Sequence, residues 1–260
     1  MSGCSAVYIP SPKSVPLLKE KGEIQIEAGL STNSIFTTGS YAFSEKYALT
    51  ANGNLSLLNF LPMRDLGDLR PPPSDGQTIY IQGDEVVHRS IEAGLGRYNL
   101  LQASGRRLEI FAGAIYGEAD NYGLFQSKYL QGFLQANIDR KNKVNRNEGG
   151  LSFRIAFSNF DCIETSNNAN YMPKHKNFNI FHVDYLFWFS KFFFDEHLKL
   201  NVRYGLNLAF YSPLGSSPFE IYNYDGGFSV LHLSIGLSYC FKTANNAAKS
   251  NKENLYFLEK

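Results

Sequence analysis

A histidine and an aspartate stand two positions apart in the sequence, at His182 and Asp184. They lie in a stretch whose apolar residues recur every second position, which predicts a β-strand with both side chains on one face. A His–Asp pair on one face is suited to general acid–base chemistry. The sequence contains no Gly-x-Ser-x-Gly elbow, no His-Glu-x-x-His motif and no phosphate-binding loop. We therefore predict a non-enzymatic protein and keep a hydrolase that uses this pair as an alternative hypothesis.

The composition argues against several other classes of protein. The net charge is +1 and no basic region stands out, so a nucleic-acid partner is not expected. The three cysteines, Cys4, Cys162 and Cys240, are too few and too widely spaced for a zinc site or a disulfide framework. We expect neither a metal nor another cofactor. No stretch approaches the roughly 20 apolar residues of a membrane helix, so a membrane-spanning form of this chain would have to use strands.

Residues 230–241, VLHLSIGLSYCF, show the strand pattern most clearly. Apolar residues occupy every second position and end in Tyr239 and Phe241, while small or polar residues occupy the others. Nine further segments share this two-faced pattern, and many approach the ~10 residues that a tilted membrane strand needs. They are residues 24–30, 35–43, 47–57, 91–96, 108–116, 130–139, 151–158, 181–190 and 198–210.

The links between these segments alternate in length. Links that join odd to even segments are long after the first one, near residues 61–87, 118–129, 160–177 and 213–227, while most even-to-odd links are short. Outer-membrane barrels show this alternation, with long external loops and short periplasmic turns. The alternation predicts an even number of strands and places both ends of the barrel on the periplasmic side.

Residues 22–242 resemble a bacterial outer-membrane β-barrel. The spacing of Ser234, Gly236, Tyr239 and Phe241 also resembles the terminal signal that the barrel-assembly machinery reads. We predict an all-β fold, an antiparallel up-and-down transmembrane β-barrel of about ten strands within a range of about eight to twelve. The resemblance implies a location in the bacterial outer membrane, contact with its lipids, and contact with the assembly machinery during biogenesis.

In such a barrel the polar positions face the lumen. Here they are mostly small or amide residues, with isolated charges and histidines among them. The predicted lumen network consists of Glu27, Glu92, Asp139, Arg154, His182, Asp184, Lys199, Arg203 and His232. Because unpaired buried charges cost several kcal/mol, we expect these side chains to pair and to fill a narrow lumen. The other histidines, His88, His175 and His197, fall in or beside predicted links, where we expect solvent exposure.

Both ends of the chain are predicted to lie outside the barrel. The start, Ser2-Gly3-Cys4, resembles the end of a bacterial lipobox, which implies a covalent lipid on Cys4. Residues 1–21 carry several Pro and Lys and predict an extended periplasmic linker. Residues 243–260 predict a polar tail, part of which resembles a protease tag. The start and the linker together resemble small lipoprotein-anchored barrels of Bacteroidota.

Such barrels often serve as accessory subunits, so the resemblance implies a structural or accessory role beside other outer-membrane proteins. A narrow pore is the first alternative, and the lumenal hydrolase is the second. The state of the lumen distinguishes the three hypotheses. A filled, ion-paired interior favours the accessory role, an open axial path favours the pore, and an exposed His–Asp pair at a rim favours the hydrolase.

Overall fold

In a computed structural model of the protein, the described residues form ten strands. The structure describes residues 13–32, 34–56, 87–100, 106–121, 125–142, 147–164, 174–193, 197–211 and 231–242. The strands are β1 (Glu23–Ser31), β2 (Ser34–Tyr41), β3 (Tyr47–Ser56), β4 (Val87–Arg97), β5 (Arg106–Asn121), β6 (Phe125–Asn142), β7 (Asn147–Glu164), β8 (Lys174–Phe193), β9 (Leu198–Tyr211) and β10 (Leu231–Lys242). Among these residues there is no helix long and apolar enough to cross a membrane.

The ten strands close into one antiparallel barrel, which confirms the predicted fold. Each strand pairs with its neighbours in sequence, and β10 pairs with β1 from Glu23↔Lys242 to Ser31↔Ser234. The pairing advances by about twelve residues in one circuit of the barrel, which corresponds to a strand tilt of roughly 40°. Because the last strand closes on the first, the sheet has no open edge with unpaired backbone groups.

Strands β5 to β8 are longer than the sequence pattern predicts. The link expected at residues 118–129 shortens to residues 122–124, because β5 continues to Asn121 and β6 begins at Phe125. The ladder remains regular there, with Glu118↔Lys128 and Asp120↔Gln126 as partners. Both faces of these strand ends carry polar residues, so the hydrophobic alternation disappears although the backbone pairing continues.

The outer surface of the barrel is apolar along its middle. Four outward-facing charged residues, Arg89, Glu118, Lys128 and Asp161, lie opposite one another on β4 to β7 and border the apolar zone at the loop end. On β4 the apolar stretch extends from Arg89 to Arg97, which at ~3.3 Å per residue and this tilt covers roughly 20 Å of depth. That depth approaches the ~25 Å apolar band of outer-membrane barrels.

Aromatic residues surround the opposite rim, where β1 begins and β10 ends. Tyr41, Phe43, Tyr47, Tyr239 and Phe241 are all between 39% and 47% exposed on the outside. The rings of Tyr239 and Phe241 lie 4.5 Å apart between centroids. Aromatic girdles of this kind mark the interface between the membrane core and water. The two aromatics of the last strand thus face outward, as their sequence parity predicts.

Candidate functional site in the barrel lumen

The structure buries every member of the predicted lumen network. All nine side chains point inward, and each residue is at most 6% exposed. The strand period therefore placed these nine side chains on the correct face, although the lumen also buries charges that it did not identify. What the period does not give is the partner of each charge, which depends on the register across the barrel.

Arg154 and Glu92 form an ion pair at mid-depth, between β7 and β4. Two guanidinium nitrogens lie 2.9 and 2.8 Å from the two carboxylate oxygens, and the third donates to Gln135 at 2.8 Å. The guanidinium also lies over the Phe133 ring, 4.1 Å from its centroid. Planar, two-point pairing of this kind is among the strongest contacts that Arg makes. The pair joins two strands that lie three apart around the ten-stranded barrel.

A second pair joins Arg203 of β9 to Glu27 of β1. Its two N···O distances are 2.6 and 2.5 Å, and both side chains are almost fully buried. Gly236 of β10 stands beside the carboxylate, and a Cβ at this position would overlap the Glu27 side chain. The glycine of the proposed assembly signal therefore also has a packing role in the folded barrel.

A third charged cluster, near the aromatic rim, contains residues that the sequence analysis missed. Arg107 pairs with the predicted Asp139 and also lies 2.6 Å from a carboxylate oxygen of Glu148. Glu148 precedes the predicted start of β7, and Arg107 precedes that of β5. Strand ends are the least certain part of a periodicity prediction, and these charges fall in them. Lys199, which was predicted, donates to the Gln25 side-chain oxygen at 3.1 Å.

The segment before β1 lies inside the barrel, although an extended linker outside it was expected. Residues 13–18 are buried, and Lys19 and Glu20 are half-buried at the aromatic rim. The Lys13 ammonium lies 3.2 Å from Asp184, near the middle of β8. The Lys19 ammonium lies 5.1 Å from the ring centroid of Phe192, near the end of that strand. We call residues 13–20 the lumen segment. Residues 1–12, including Cys4, and the predicted tail at 243–260 lie outside the described residues.

Lumen side chains bind the backbone of this segment. The Glu109 carboxylate accepts the N–H groups of Leu17 and Leu18 at 3.2 and 2.8 Å. Arg107 donates to the Leu17 carbonyl at 3.0 Å, and Gln135 donates to the Ser14 carbonyl at 2.7 Å. Buried backbone groups require such partners, and here they come from two adjacent strands, β5 for Glu109 and Arg107 and β6 for Gln135. Glu109 was also missed, although it shares its strand parity with the inward Phe111.

Apolar contacts fix the same segment against β8. Val15 and Leu17 pack with Leu186 and Trp188, and all four residues are at most 7% exposed. Leu17 has a φ of 51°, a left-handed conformation that is uncommon for a residue other than glycine. Glu109 accepts the Leu17 N–H and Arg107 donates to the Leu17 carbonyl, and these two hydrogen bonds fix the conformation. An extended linker would require none of these contacts.

His182 and Asp184 both face the lumen, as predicted, but they are bound within the polar network. The Asp184 carboxylate pairs with Lys13 and accepts a hydrogen bond from Asn207. Asn207, directly opposite Asp184 on β9, also lies close to His182. The amide thus stands beside both members of the expected pair. His232 is buried on β10, and charges of Lys13 and Arg203 lie close enough to act on it.

His88 was expected to be exposed to solvent, and this prediction is wrong. It lies inside on β4, fully buried, and its Nε2 is 3.0 Å from the Tyr129 hydroxyl. The rings of both residues are stacked with 5.8 Å between centroids. His175 and His197 are exposed as expected. Within the described part of the chain, no three His, Cys, Asp or Glu side chains are grouped as a metal site would require.

Tyr98 follows β4 at the aromatic rim, outside the membrane-spanning strands. Its hydroxyl donates to the Ser44 carbonyl at 2.7 Å. Burial disfavours the phenolate and raises the pKa of Tyr98 to about 12, and the negative charge of Glu45 acts in the same direction. The residue therefore serves as a neutral donor that closes the rim.

Comparison with solved structures finds similarity to outer-membrane β-barrels. No protein-family model matches the sequence, and no curated protein matches it. The N-terminal β-barrel domain of OprF from Pseudomonas aeruginosa aligns with 86% of this chain and 100% of that one, at 8% identity and a TM-score of 0.31. OmpT, an outer membrane protein of Vibrio cholerae, aligns with 87% of this chain and 100% of that one, at 8% identity and a TM-score of 0.18. The functional inference therefore depends on the chain's own geometry.

Proposed function

We propose that this protein is a non-enzymatic outer-membrane β-barrel with a closed lumen, which serves as a structural or accessory subunit of a larger outer-membrane assembly. One observation carries the proposal. The lumen segment and the ion pairs occupy the interior from the aromatic rim to mid-depth, where a pore would need an axial water path. In this proposal the rim at which β1 begins and β10 ends faces the periplasm. The sequence from Ser234 to Phe241 is the signal that the assembly machinery recognises.

A current measurement tests whether the lumen is closed. We expect the wild-type protein to give no steady current in a planar bilayer. In Leu18→Asp, a new carboxylate would lie beside Glu109, and this repulsion in a buried site should expel the lumen segment and produce discrete conductance steps. The control Lys21→Asp introduces the same side chain at an exposed position of the same region. Steady conductance of the wild type would favour the pore and refute the closed barrel.

The outer wall supports a place within an assembly. Five small residues stand in register across β2 to β6, namely Gly39, Ala51, Ala93, Ala114 and Gly132. The outward positions of β7 and β8 instead carry large aromatics such as Phe157 and Phe187. Small residues allow a second membrane protein to approach the backbone closely. This small-residue side of the barrel is the face that we propose for a partner.

Photo-cross-linking in native membranes tests the partner. A photoreactive side chain at position 93 should capture a protein that one at position 187, on the aromatic side, does not capture. Isolation of the protein only as a lone monomer, with equal cross-linking at both positions, would count against an accessory role. The lipid on Cys4 remains a proposal as well, and mass spectrometry of the N-terminal peptide from native membranes tests it.

The hydrolase alternative has less support from the geometry. The Asp184 carboxylate forms an ion pair with Lys13 and accepts a hydrogen bond from Asn207. His182 is fully buried. A general base must reach the proton that it abstracts, and the lumen segment occupies the space beside this pair. If membrane lipid and peptide profiles change after His182→Ala, the non-enzymatic proposal fails.

A further inference from the structure

The two ends of the barrel differ in the charge of their outer surface. Of the described residues at the aromatic rim, five basic ones are exposed, and Glu45 is the one acidic residue that is fully exposed. The five basic residues are Lys21, Lys46, Arg97, Arg106 and Lys191. The described loop end instead carries two basic and three acidic outward residues, namely Arg89, Lys128, Glu118, Asp120 and Asp161. The outer surface of the aromatic rim therefore attracts anions, and that of the loop end does not.

Arg97 and Arg106 lie on the adjacent strands β4 and β5 at this rim, and both face outward. Arg97 is the ladder partner of Ile110, four residues along β5 from Arg106. At ~3.3 Å per residue and ~4.8 Å between strands, the two Cα atoms are about 14 Å apart, a separation that two arginine side chains can bridge around one phosphate. A third basic residue, Arg140, is the ladder partner of Arg106. Like charges opposite each other on adjacent strands repel, and a bound anion relieves that repulsion.

These two arginines have no acidic partner in the described part of the chain. Neither the Arg97 nor the Arg106 side chain forms an ion pair or a hydrogen bond with another described residue. Arg89, at the other end of β4, differs because its Nε lies 2.9 Å from a carboxylate oxygen of Glu118. Glu45 precedes β3, on the side of Arg97 away from β5. The positive charge of Arg97 and Arg106 is therefore available to an anion from outside the chain.

The outer surface between the two arginines is apolar. Leu108 and Ile110 share the outward face of β5 with Arg106. Tyr47, the ladder partner of Arg97, is one of the exposed aromatic residues of the rim. Because girdle aromatics lie at the level of the lipid head groups, the two guanidinium groups lie at that level as well. An occupant that matches both features has an anionic head group and an apolar tail.

We propose that this site binds one anionic phospholipid, with its phosphate between Arg97 and Arg106 and an acyl chain along Leu108 and Ile110. The inference rests on the proposed function, in which this rim faces the periplasm, because phospholipids form the periplasmic leaflet of an outer membrane. Charge complementarity determines the head group. The neighbouring basic residues would repel an ammonium beside the phosphate, whereas a head group that ends in hydroxyls meets no such repulsion. Both arginines are exposed, so the site selects a lipid and contributes little to the stability of the barrel.

Two other basic residues of the outer surface provide matched controls. Lys191 is exposed at the same rim on β8, where its ammonium lies 5.7 Å from the centroid of the Phe193 ring. Arg89 lies on the same strand as Arg97 but at the loop end. A glutamine at either control position removes one positive charge from the outer surface and leaves the proposed site unchanged.

The test is native mass spectrometry of the full chain, released from nanodiscs that contain equal parts of phosphatidylglycerol and phosphatidylethanolamine. We expect the wild type to retain one phosphatidylglycerol per barrel. Arg97→Gln and Arg106→Gln should each lower this retention about fivefold, the effect of one basic residue at an anionic membrane surface. Arg89→Gln and Lys191→Gln should retain the lipid as the wild type does. Leu108→Glu places a carboxylate between the two arginines and should lower the retention further, because it repels the phosphate.

Three results would overturn the proposal. Equal retention of the two lipids would show a general annulus, and equal losses in the control and the site variants would show attraction by net charge alone. Capture of a protein by a photoreactive side chain at position 108 in native membranes, without retained phosphatidylglycerol in nanodiscs, would assign the site to a membrane-protein partner. Nanodiscs present the same lipids to both rims and contain no partner, so failure of the lipid site would leave the closed barrel and its accessory role standing.

Discussion

Removal of the Arg154 guanidinium should destabilise the barrel more than any single change on its outer surface. In Arg154→Met the side chain keeps much of its length but loses both bonds to Glu92, the bond to Gln135 and the contact with Phe133. Glu92, only 6% exposed, is then left as a buried charge without its Arg partner. Breaking one side of such a pair costs about 3–5 kcal/mol.

The double variant Arg154→Met/Glu92→Leu shows how much of the loss in Arg154→Met comes from leaving Glu92 buried without its partner. Replacing a whole buried ion pair by apolar residues is often neutral or even stabilising. We therefore expect the double variant to be more stable than Arg154→Met alone, with a coupling free energy of about 3 kcal/mol or more between the two sites. Arg97→Met, on the exposed outer face, should change the free energy of unfolding by less than about 0.5 kcal/mol.

Trp188 provides the assay, because it is the chain's single tryptophan and lies buried against the lumen segment. Its emission during urea unfolding in phospholipid vesicles reports the loss of both the barrel and the seated segment. A cost below about 1 kcal/mol for Arg154→Met, or a double variant whose cost equals the sum of the single ones, would refute the reasoning. Either result would mean that water, and not a closed network, surrounds the pair.

Two smaller predictions concern packing and pH. Gly117→Ala places a Cβ against the Tyr129 ring and should lower the free energy of unfolding by about 1–3 kcal/mol, whereas Gly132→Ala should change it by less than about 0.5 kcal/mol; urea midpoints in vesicles measure both. Tyr98 holds its proton more tightly in the folded state, with a pKa of about 12 against about 10 unfolded, so its contribution to stability is complete below pH 10 and is lost as the pH rises through 12. In Tyr98→Phe the unfolding midpoint should therefore fall less between pH 9 and 12; an unchanged slope would contradict this assignment.

The two-residue period was sufficient to predict the barrel wall because the membrane imposes it. Within the apolar zone, one strand face meets lipid and the other meets the lumen, so residues such as Leu95 and Gly96 must alternate. Beyond that zone the outward face meets water and carries polar residues, so the apolar half of the alternation is lost. This is why the upper parts of β5 to β8, around Asp120 and Gln126, look like loops in the sequence although their backbones pair.

The interior was predictable in composition but not in pairing. Parity placed Glu92 and Arg154 in the lumen, yet they are 62 residues apart in sequence, and only the closed register brings them together. The lumen segment was missed because Pro and Lys are also typical of linkers. A signal was nevertheless present, since Val15, Leu17 and Leu18 are apolar residues in an otherwise polar stretch. Their burial depends on a lumen whose size the sequence does not state.

The lumen wall places hydrogen-bond donors and acceptors opposite the backbone groups of the lumen segment. A wall built to line an open channel would not need such a match. A channel wall needs polar groups that water can solvate, in any orientation. Here the wall presents particular acceptors and donors at the positions of a peptide backbone, with Glu109 beneath two N–H groups and Gln135 and Arg107 at two carbonyls. The charge of Asp184 meets its counter-charge from Lys13 of the same segment. Removal of the segment would leave each of these buried groups without its partner, a cost that solvation by entering water would offset only in part. The segment is therefore packed as part of the folded core, and we expect it to stay seated unless an added charge such as Leu18→Asp expels it.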